Sequence, residues 1–204
     1  KVRAPINLGV YEFSATDTDG STVSDDLKTL AVIPGVEVQI PMAPRWTLKP
    51  FVDAGIGRGL ESDGRFAYIY TVGAKSVYEH PVGDYTLMLG NGLIYAGNAA
   101  FGHDVEDYSV IETGLGVRRP VGFDISGFEP NLGVYGIYYY YPKALQFPRF
   151  REAPLQVKNQ VEIAMSVGSA EPFELGPFID PRIGISYIFG DGLEVLRINF
   201  GFPF

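Results

Sequence analysis

Apolar and polar side chains alternate along this chain with a period of two. The alternation comes in segments of about ten residues separated by turn-forming residues, and it recurs from one end of the sequence to the other. It is clearest in the last segment, Leu193 to Phe204, where Leu196, Ile198, Phe200, Phe202 and Phe204 fall on one face and Arg197, Asn199, Gly201 and Pro203 on the other. Successive side chains of a strand point to opposite sides, so such a segment carries one continuously apolar surface and one surface of charges, amides and small residues. The pattern predicts strands with an oily face and a wetter face.

Read along the chain, a first strand from about Val2 to Phe13 sets Ala4, Ile6, Leu8 and Val10 against Arg3, Asn7, Gly9 and Tyr11, and Thr16 to Asp26 reads as a loop. Leu30, Val32, Val36, Val38 and Ile40 then alternate with Thr29, Gly35, Glu37 and Gln39. After a turn at Ala43-Pro44-Arg45, Trp46, Leu48, Val52, Ala54 and Ile56 alternate with Thr47, Lys49, Asp53, Gly55 and Gly57. A strand from about Arg65 to Tyr78 presents Phe66, Tyr68, Tyr70 and Val72. The next shows Tyr85, Leu87, Leu89, Leu93 and Tyr95, with Asn91 an exception that a bulge would re-aim. Ile111, Thr113, Leu115 and Val117 oppose Glu112, Gly114, Gly116 and Arg118, and Pro120 to Pro130 reads as an extended turn or a short extra strand. Asn131 to Tyr141 ends in consecutive tyrosines, which suits an interfacial belt because the hydroxyl wants water or a partner. Val157, Val161, Ile163, Met165 and Val167 oppose Lys158, Gln160, Glu162 and Ser166. Ile179, Ile183, Ile185, Tyr187 and Phe189 oppose Asp180, Arg182, Gly184 and Ser186, before Gly190-Asp191-Gly192 turns the chain into its last strand.

The count is about ten strands, with eight or twelve as the alternatives, and it predicts an all-β fold: an antiparallel up-and-down transmembrane β-barrel filling residues 1–204 as a single domain. An even count puts both termini on one side. The short turns at Ala43 to Arg45 and Pro81 to Asp84 fall on that side, and the longer Thr16 to Asp26, Ala99 to Asp107 and Pro142 to Pro154 on the other. A soluble sandwich or lipocalin-like barrel would alternate in the same way. What favours a bilayer is aromatics at both ends of the apolar face: Trp46, Tyr85, Phe202 and Phe204 near one rim, and Phe66, Tyr68, Tyr95, Tyr138 and Phe189 near the other.

Composition narrows the function. No run of about 18 uncharged apolar residues occurs, which excludes a spanning helix. With 14 Phe, 13 Tyr, 25 Gly and no Cys, the chain suits twisted strands with aromatic belts and not a disulfide-stapled module. A net charge of −8 with scattered basic residues sets nucleic acid aside as a partner. In a barrel of this size the inner residues Glu37, Lys49, Asp53, Lys75, Glu112, Arg118, Lys158, Glu162, Asp180, Arg182 and Arg197 would line the lumen. Their mixed signs predict ion pairs that fill it, or a narrow polar passage. The loop acids Asp17, Asp19, Asp25, Asp26, Glu61, Asp63, Asp104, Glu106 and Asp107 read as solvated charge. A divalent-cation bridge to lipopolysaccharide phosphates is the sharper alternative. No His or Cys cluster has metal-ligand spacing and no Gly-x-Ser-x-Gly occurs, so neither cofactor, metal nor catalytic residue is assigned.

The ending Ile198-Asn199-Phe200-Gly201-Phe202-Pro203-Phe204 resembles that of bacterial outer-membrane barrels. In those proteins the terminal aromatic strand is the signal read by the barrel-assembly machinery. The resemblance implies that Phe200, Phe202 and Phe204 form the insertion signal, that a secretory leader is removed from the precursor, and that the protein lies in a Gram-negative outer membrane with periplasmic termini. It also implies outer-membrane lipid, lipopolysaccharide and the assembly machinery as partners. Pro203 departs from the usual signal, because proline offers no backbone donor and must sit where none is needed in the ladder. The expected role is that of a structural or narrow-pore, porin-like barrel, not an enzyme. An autotransporter-like translocator is the first alternative and a lipid-modifying or proteolytic surface barrel the second. For the last, His103 among Asp104, Glu106 and Asp107 is similar in residue types alone to the loops of omptin-type surface proteases.

Overall fold

Every described element is a β-strand: β1 (Val2–Arg3), β2 (Ile6–Thr16), β3 (Thr22–Val38), β4 (Ile40–Ala43), β5 (Trp46–Gly59), β6 (Phe66–Val82), β7 (Tyr85–Ala100), β8 (Glu106–Pro120), β9 (Pro130–Phe147), β10 (Leu155–Ser169), β11 (Glu174–Leu175), β12 (Phe178–Ile179), β13 (Ile183–Gly190) and β14 (Leu193–Phe200). The computed structural model describes residues 2–3, 6–16, 22–59, 66–100, 106–124, 129–147, 155–169, 174–175, 178–179 and 182–200, with side chains described within 30–58, 66–97, 107–124, 129–145, 156–169 and 182–198.

The strands pair antiparallel with their sequence neighbours from β5 through β10 to β13 and β14, and β14 pairs with β2, β2 with β3, and β3 with β5. That last pairing closes the ring. β1 holds the register of β2 against β3, and β4 continues β3 along β5, so the sheet's twelve segments make a barrel wall of ten strands. Closure matters physically: a closed sheet leaves no edge of unpaired N–H and C=O groups, the condition under which strands survive in hydrocarbon.

The alternation sorts side chains as periodicity requires. Val36, Val52, Ile56, Val72, Leu89, Leu93, Leu115, Ile163, Met165, Ile183, Ile185, Leu196 and Ile198 are all exposed on the outside. Glu37, Lys49, Asp53, Glu112, Glu162, Arg182 and Arg197 alternate with them and are buried or half-buried. Exposed Trp46, Tyr78 and Tyr85 lie toward the terminus-side end of the wall. Exposed Phe66, Tyr68, Tyr95, Tyr187 and Phe189 lie toward the far end.

Several local features differ from the sequence reading. β2 and β3 run on to Thr16 and from Thr22, so the first predicted loop is mostly strand. The register of β7 is unbroken against both neighbours, so no bulge re-aims Asn91, which stays on the outer face. The tyrosine run does not form a belt as a block, because consecutive strand residues must part: Tyr138 and Tyr140 are exposed outside, whereas Tyr139 and Tyr141 turn inward. Ile179 belongs to a separate β11–β12 hairpin and not to the strand leading into the last turn.

Connection length does not divide the two ends. The terminus side has the tight Pro44–Arg45 and Gly83–Asp84 turns but also the spans 121–129 and 170–182. The far side has the tightest kind of hairpin, Asp191–Gly192. There Asp191 and Gly192 adopt φ of 47° and 81°, the left-handed pair that a two-residue hairpin with the strand twist demands.

Candidate functional site in the barrel interior

The inner face is built in layers. Toward the termini, Val77 on β6, Met88 on β7, Tyr135 and Ile137 on β9 and Ala164 on β10 form one apolar cluster. Toward the far end, Val110, Tyr141, Val157, Ile188, Leu193 and Val195 form another. Glu162 falls between Val157 and Ala164 of the two clusters along β10, Lys75 is the inward residue next to Val77 on β6 and Glu112 the one next to Val110 on β8, and Glu79 and Arg118 fall on the terminus side of the first cluster. The interior is therefore less polar than the sequence reading expected.

The charged groups pair along the wall, bridging next-but-one strands. Glu162 on β10 accepts a hydrogen bond from Arg197 Nη2 on β14 at 2.5 Å, passing over β13, where Ser186 accepts from Arg197 Nε at 3.4 Å. The Tyr139 hydroxyl donates to the other Glu162 oxygen. Lys75 on β6 lies 3.5 Å from Glu112 on β8, across the inward-facing Gly92 of β7. Arg118 pairs with Glu79 in the same next-but-one geometry. Arg182 donates to Ser166 Oγ at 3.4 Å and to the Asn131 carbonyl at 3.2 Å, reaching over β10. Tyr141 donates to Gln160 at 2.7 Å, and Gln39 to Glu37 at 3.0 Å.

Glycines make room for this arrangement. A Cβ at Gly92 would meet the Glu112 carboxyl, one at Gly97 the Tyr70 ring, one at Gly133 the Tyr135 ring and one at Gly168 the Arg182 guanidinium. Large side chains therefore lie over bare stretches of wall, the arrangement that lets a narrow interior fill without overpacking. Glu162 at 0% exposure, Tyr135 at 1% and Ser186 at 2% are out of reach of water.

The predicted lumen residues divide as follows. Lys49, Asp53, Glu112, Glu162 and Arg182 are buried inside, and Glu37, Lys75, Arg118 and Arg197 are half-buried. Asp53 lies against Gly35, where its Oδ1 has no hydrogen-bond partner among the described residues.

Lys158 is the correction. A register shift between Val157 and Asn159 inserts a bulge that turns Val157 inward, to 0% exposure, and leaves Lys158 exposed. The bulge is held by Asp191 of the far-side hairpin, whose Oδ2 accepts both the Lys158 and Asn159 backbone N–H groups at 2.7 Å.

Asp180, Phe202, Phe204, His103, Asp104, Asp17, Asp19, Glu61 and Asp63 lie outside the described residues, and the side chain of Phe200 is not described. His80 is exposed at the terminus-side rim, where Arg45 Nη1 donates to its Nδ1 at 2.8 Å. Periodicity places Gln160 and Ser186 on the polar face but does not single out Glu79, Tyr139 or Tyr141 as interior partners. Glu79 shares the parity of Lys75 on its own strand, and Tyr139 and Tyr141 have the parity opposite to the outer Tyr138, which is the available signal.

An apolar exterior over a charge-paired interior, on a closed antiparallel ring, defines the transmembrane class of β-barrel. No family model and no curated protein matches the sequence. Among solved structures, the chain is similar to the NanC porin at 14% identity and a TM-score of 0.46, covering 98% of this chain and 100% of that one. It is similar to the β-domain of the Bordetella autotransporter BrkA at 11% identity and 0.43, covering 98% of each chain. An outer membrane channel from Pseudomonas putida F1 stands at 13% and 0.43, covering 99% of this chain and 96% of that one. At these identities and scores the likeness transfers no role.

Proposed function

We propose that the chain is a small barrel of the bacterial outer membrane whose interior is closed by its own side chains, serving as a structural barrel and not as an open pore. The observation that carries this reading is the buried Glu162–Arg197–Tyr139 group between two apolar clusters, with Glu162 at 0% exposure. A through-going aqueous path would wet that carboxylate.

On this reading the termini face the periplasm, and lipid and lipopolysaccharide surround the wall. The barrel-assembly machinery inserts the chain through its C-terminal aromatic strand. No enzymatic reaction and no cofactor belong to the reading.

The test is conductance across planar bilayers, made on refolded chain that migrates as a compact, heat-modifiable band. Silence is expected. Discrete, stable current steps from the wild-type barrel would overturn the closed interior and install the narrow-passage role in its place.

A further inference from the structure

We propose that the outer face of β6, β7 and β8 is the contact of a homodimer, with Asn91 of each copy joined to Asn91 of the other as a reciprocal amide pair about a two-fold axis along the membrane normal. The proposal rests on the membrane-spanning reading of the apolar exterior, and it concerns a wall that reading leaves unexplained. Ser76, Asn91 and Thr113 are successive cross-strand partners on β6, β7 and β8, forming a polar row with Ala74, Leu93 and Ile111 on one side and Tyr78, Leu89 and Leu115 on the other. Asn91 is exposed, six residues from Tyr85 and four from Tyr95 along β7, and so lies between the two aromatic ends and not at either.

The row satisfies itself only in part. Trp46 Nε1 donates to Ser76 Oγ at 2.7 Å, and Thr113 Oγ1 donates to Asn91 Oδ1 at 2.9 Å. The Asn91 amide nitrogen has no hydrogen-bond partner among the described residues. Its two N–H groups thus face hydrocarbon, where each unsatisfied donor costs up to several kcal/mol. Acyl chains cannot accept them, and headgroups and water do not reach that depth.

A second copy can. A carboxamide carries both donors and an acceptor, and Oδ1 keeps a second lone pair after accepting from Thr113. Two Asn91 side chains facing each other across a two-fold axis therefore exchange two N–H···O bonds, with Thr113 still in place on both sides. Reciprocity of this kind is what an isologous contact requires, and amide side chains join transmembrane helices within bilayers by the same kind of hydrogen bond.

The surroundings fit the same occupant. Ala74, Ser76 and the exposed Gly136 keep the wall low beside the row. A shallow groove of about 400 Å³ lies along Val72, Ala74, Leu93 and Tyr95. Leu115 at 67% and Leu93 at 63% exposure are the most exposed large apolar side chains described. A groove and projecting leucines on one face give a self-complementary surface its shape.

The chain contains no cysteine, so a single introduced thiol reports unambiguously. The experiment uses Leu93→Cys, two residues from an intact Asn91 on the same face, and, five strands round the ring on β14, Leu196→Cys, each refolded into phosphatidylcholine vesicles and treated with a short thiol-reactive bifunctional crosslinker. Folding is checked by the heat-modifiable band and membrane insertion by flotation with the vesicles, so failure of the membrane reading is scored separately. A crosslinked dimer from Leu93→Cys and monomer from Leu196→Cys is the expected result. In addition, Asn91→Leu should abolish the dimer that amine-reactive crosslinking captures from the wild-type chain while the compact band is retained. Equal crosslinking at the two positions, no dimer from Leu93→Cys, or an Asn91→Leu chain that still dimerises would overturn the proposal. A folded wild-type barrel that stays monomeric at every lipid ratio would do the same.

Discussion

The residue that most constrains the interior is Glu162. It is fully buried, and its two oxygens are taken by Arg197 and Tyr139. Removing one member of a buried pair strands the other's charge, so Glu162→Leu should destabilise the barrel by about 3–5 kcal/mol. The double change Glu162→Leu with Arg197→Leu should recover most of that loss, as read from urea unfolding in vesicles. Additive losses in the double variant would mean that the two side chains do not act as a pair. On the opposite face, Val36 and Ile183 are exposed to the surroundings at 48% and 58%. Arginine at either position should cost about 2–4 kcal/mol if it sits near the bilayer midplane. Unfolding midpoints unchanged by Val36→Arg and Ile183→Arg would mean that this face does not meet lipid. Period-two alternation made the facing of Val36, Ile183 and Glu162 legible in the sequence. The identity of each charge's partner was not, because partners lie on strands brought together only by ring closure.

At the scale of the element, the β13–β14 hairpin and the β10 bulge form one device. The left-handed Asp191-Gly192 turn places the Asp191 carboxylate against the backbone N–H groups of Lys158 and Asn159, and the bulge in turn reverses the facing of Val157 and Lys158. Asp191→Ala should remove two charge-assisted hydrogen bonds of about 1.5–3 kcal/mol each at most, less where water replaces them. Hydrogen exchange should accelerate at the Lys158 and Asn159 amides while the Val161–Met165 amides, paired with β13, stay protected. Unchanged exchange at residues 158 and 159 would mean the bulge stands without its cap. A turn at Gly190-Asp191-Gly192 is readable from its residues. The bulge is not, because Val157-Lys158 alternates like any strand pair and only the neighbouring hairpin supplies the acceptor that fixes the extra residue. Asn91 fails in the opposite direction: it looked like a bulge and is held in plain register by Ser76 and Thr113 across the ladder.

For the whole molecule, the reading of the C-terminal strand as an insertion signal yields its own expectation. Deleting Phe204 should sharply lower the amount of heat-modifiable barrel recovered from cell membranes, and normal membrane levels of the shortened chain would remove that role. The sequence by itself determined the all-β class, a ring of about ten strands and the sorting of an apolar face from a polar one, because all three follow from a local period of two and from turn residues spaced along one chain. Tertiary structure alone decided that the charges bridge next-but-one strands along the wall and do not meet across an open lumen. It also decided that Val77, Met88 and Ile137 gather in one apolar cluster and Val110 and Ile188 in another, and that a glycine on one strand receives a side chain from another or from farther along its own. Those relations depend on register and curvature between strands distant in sequence, and a hydrophobic pattern read along a single strand carries neither.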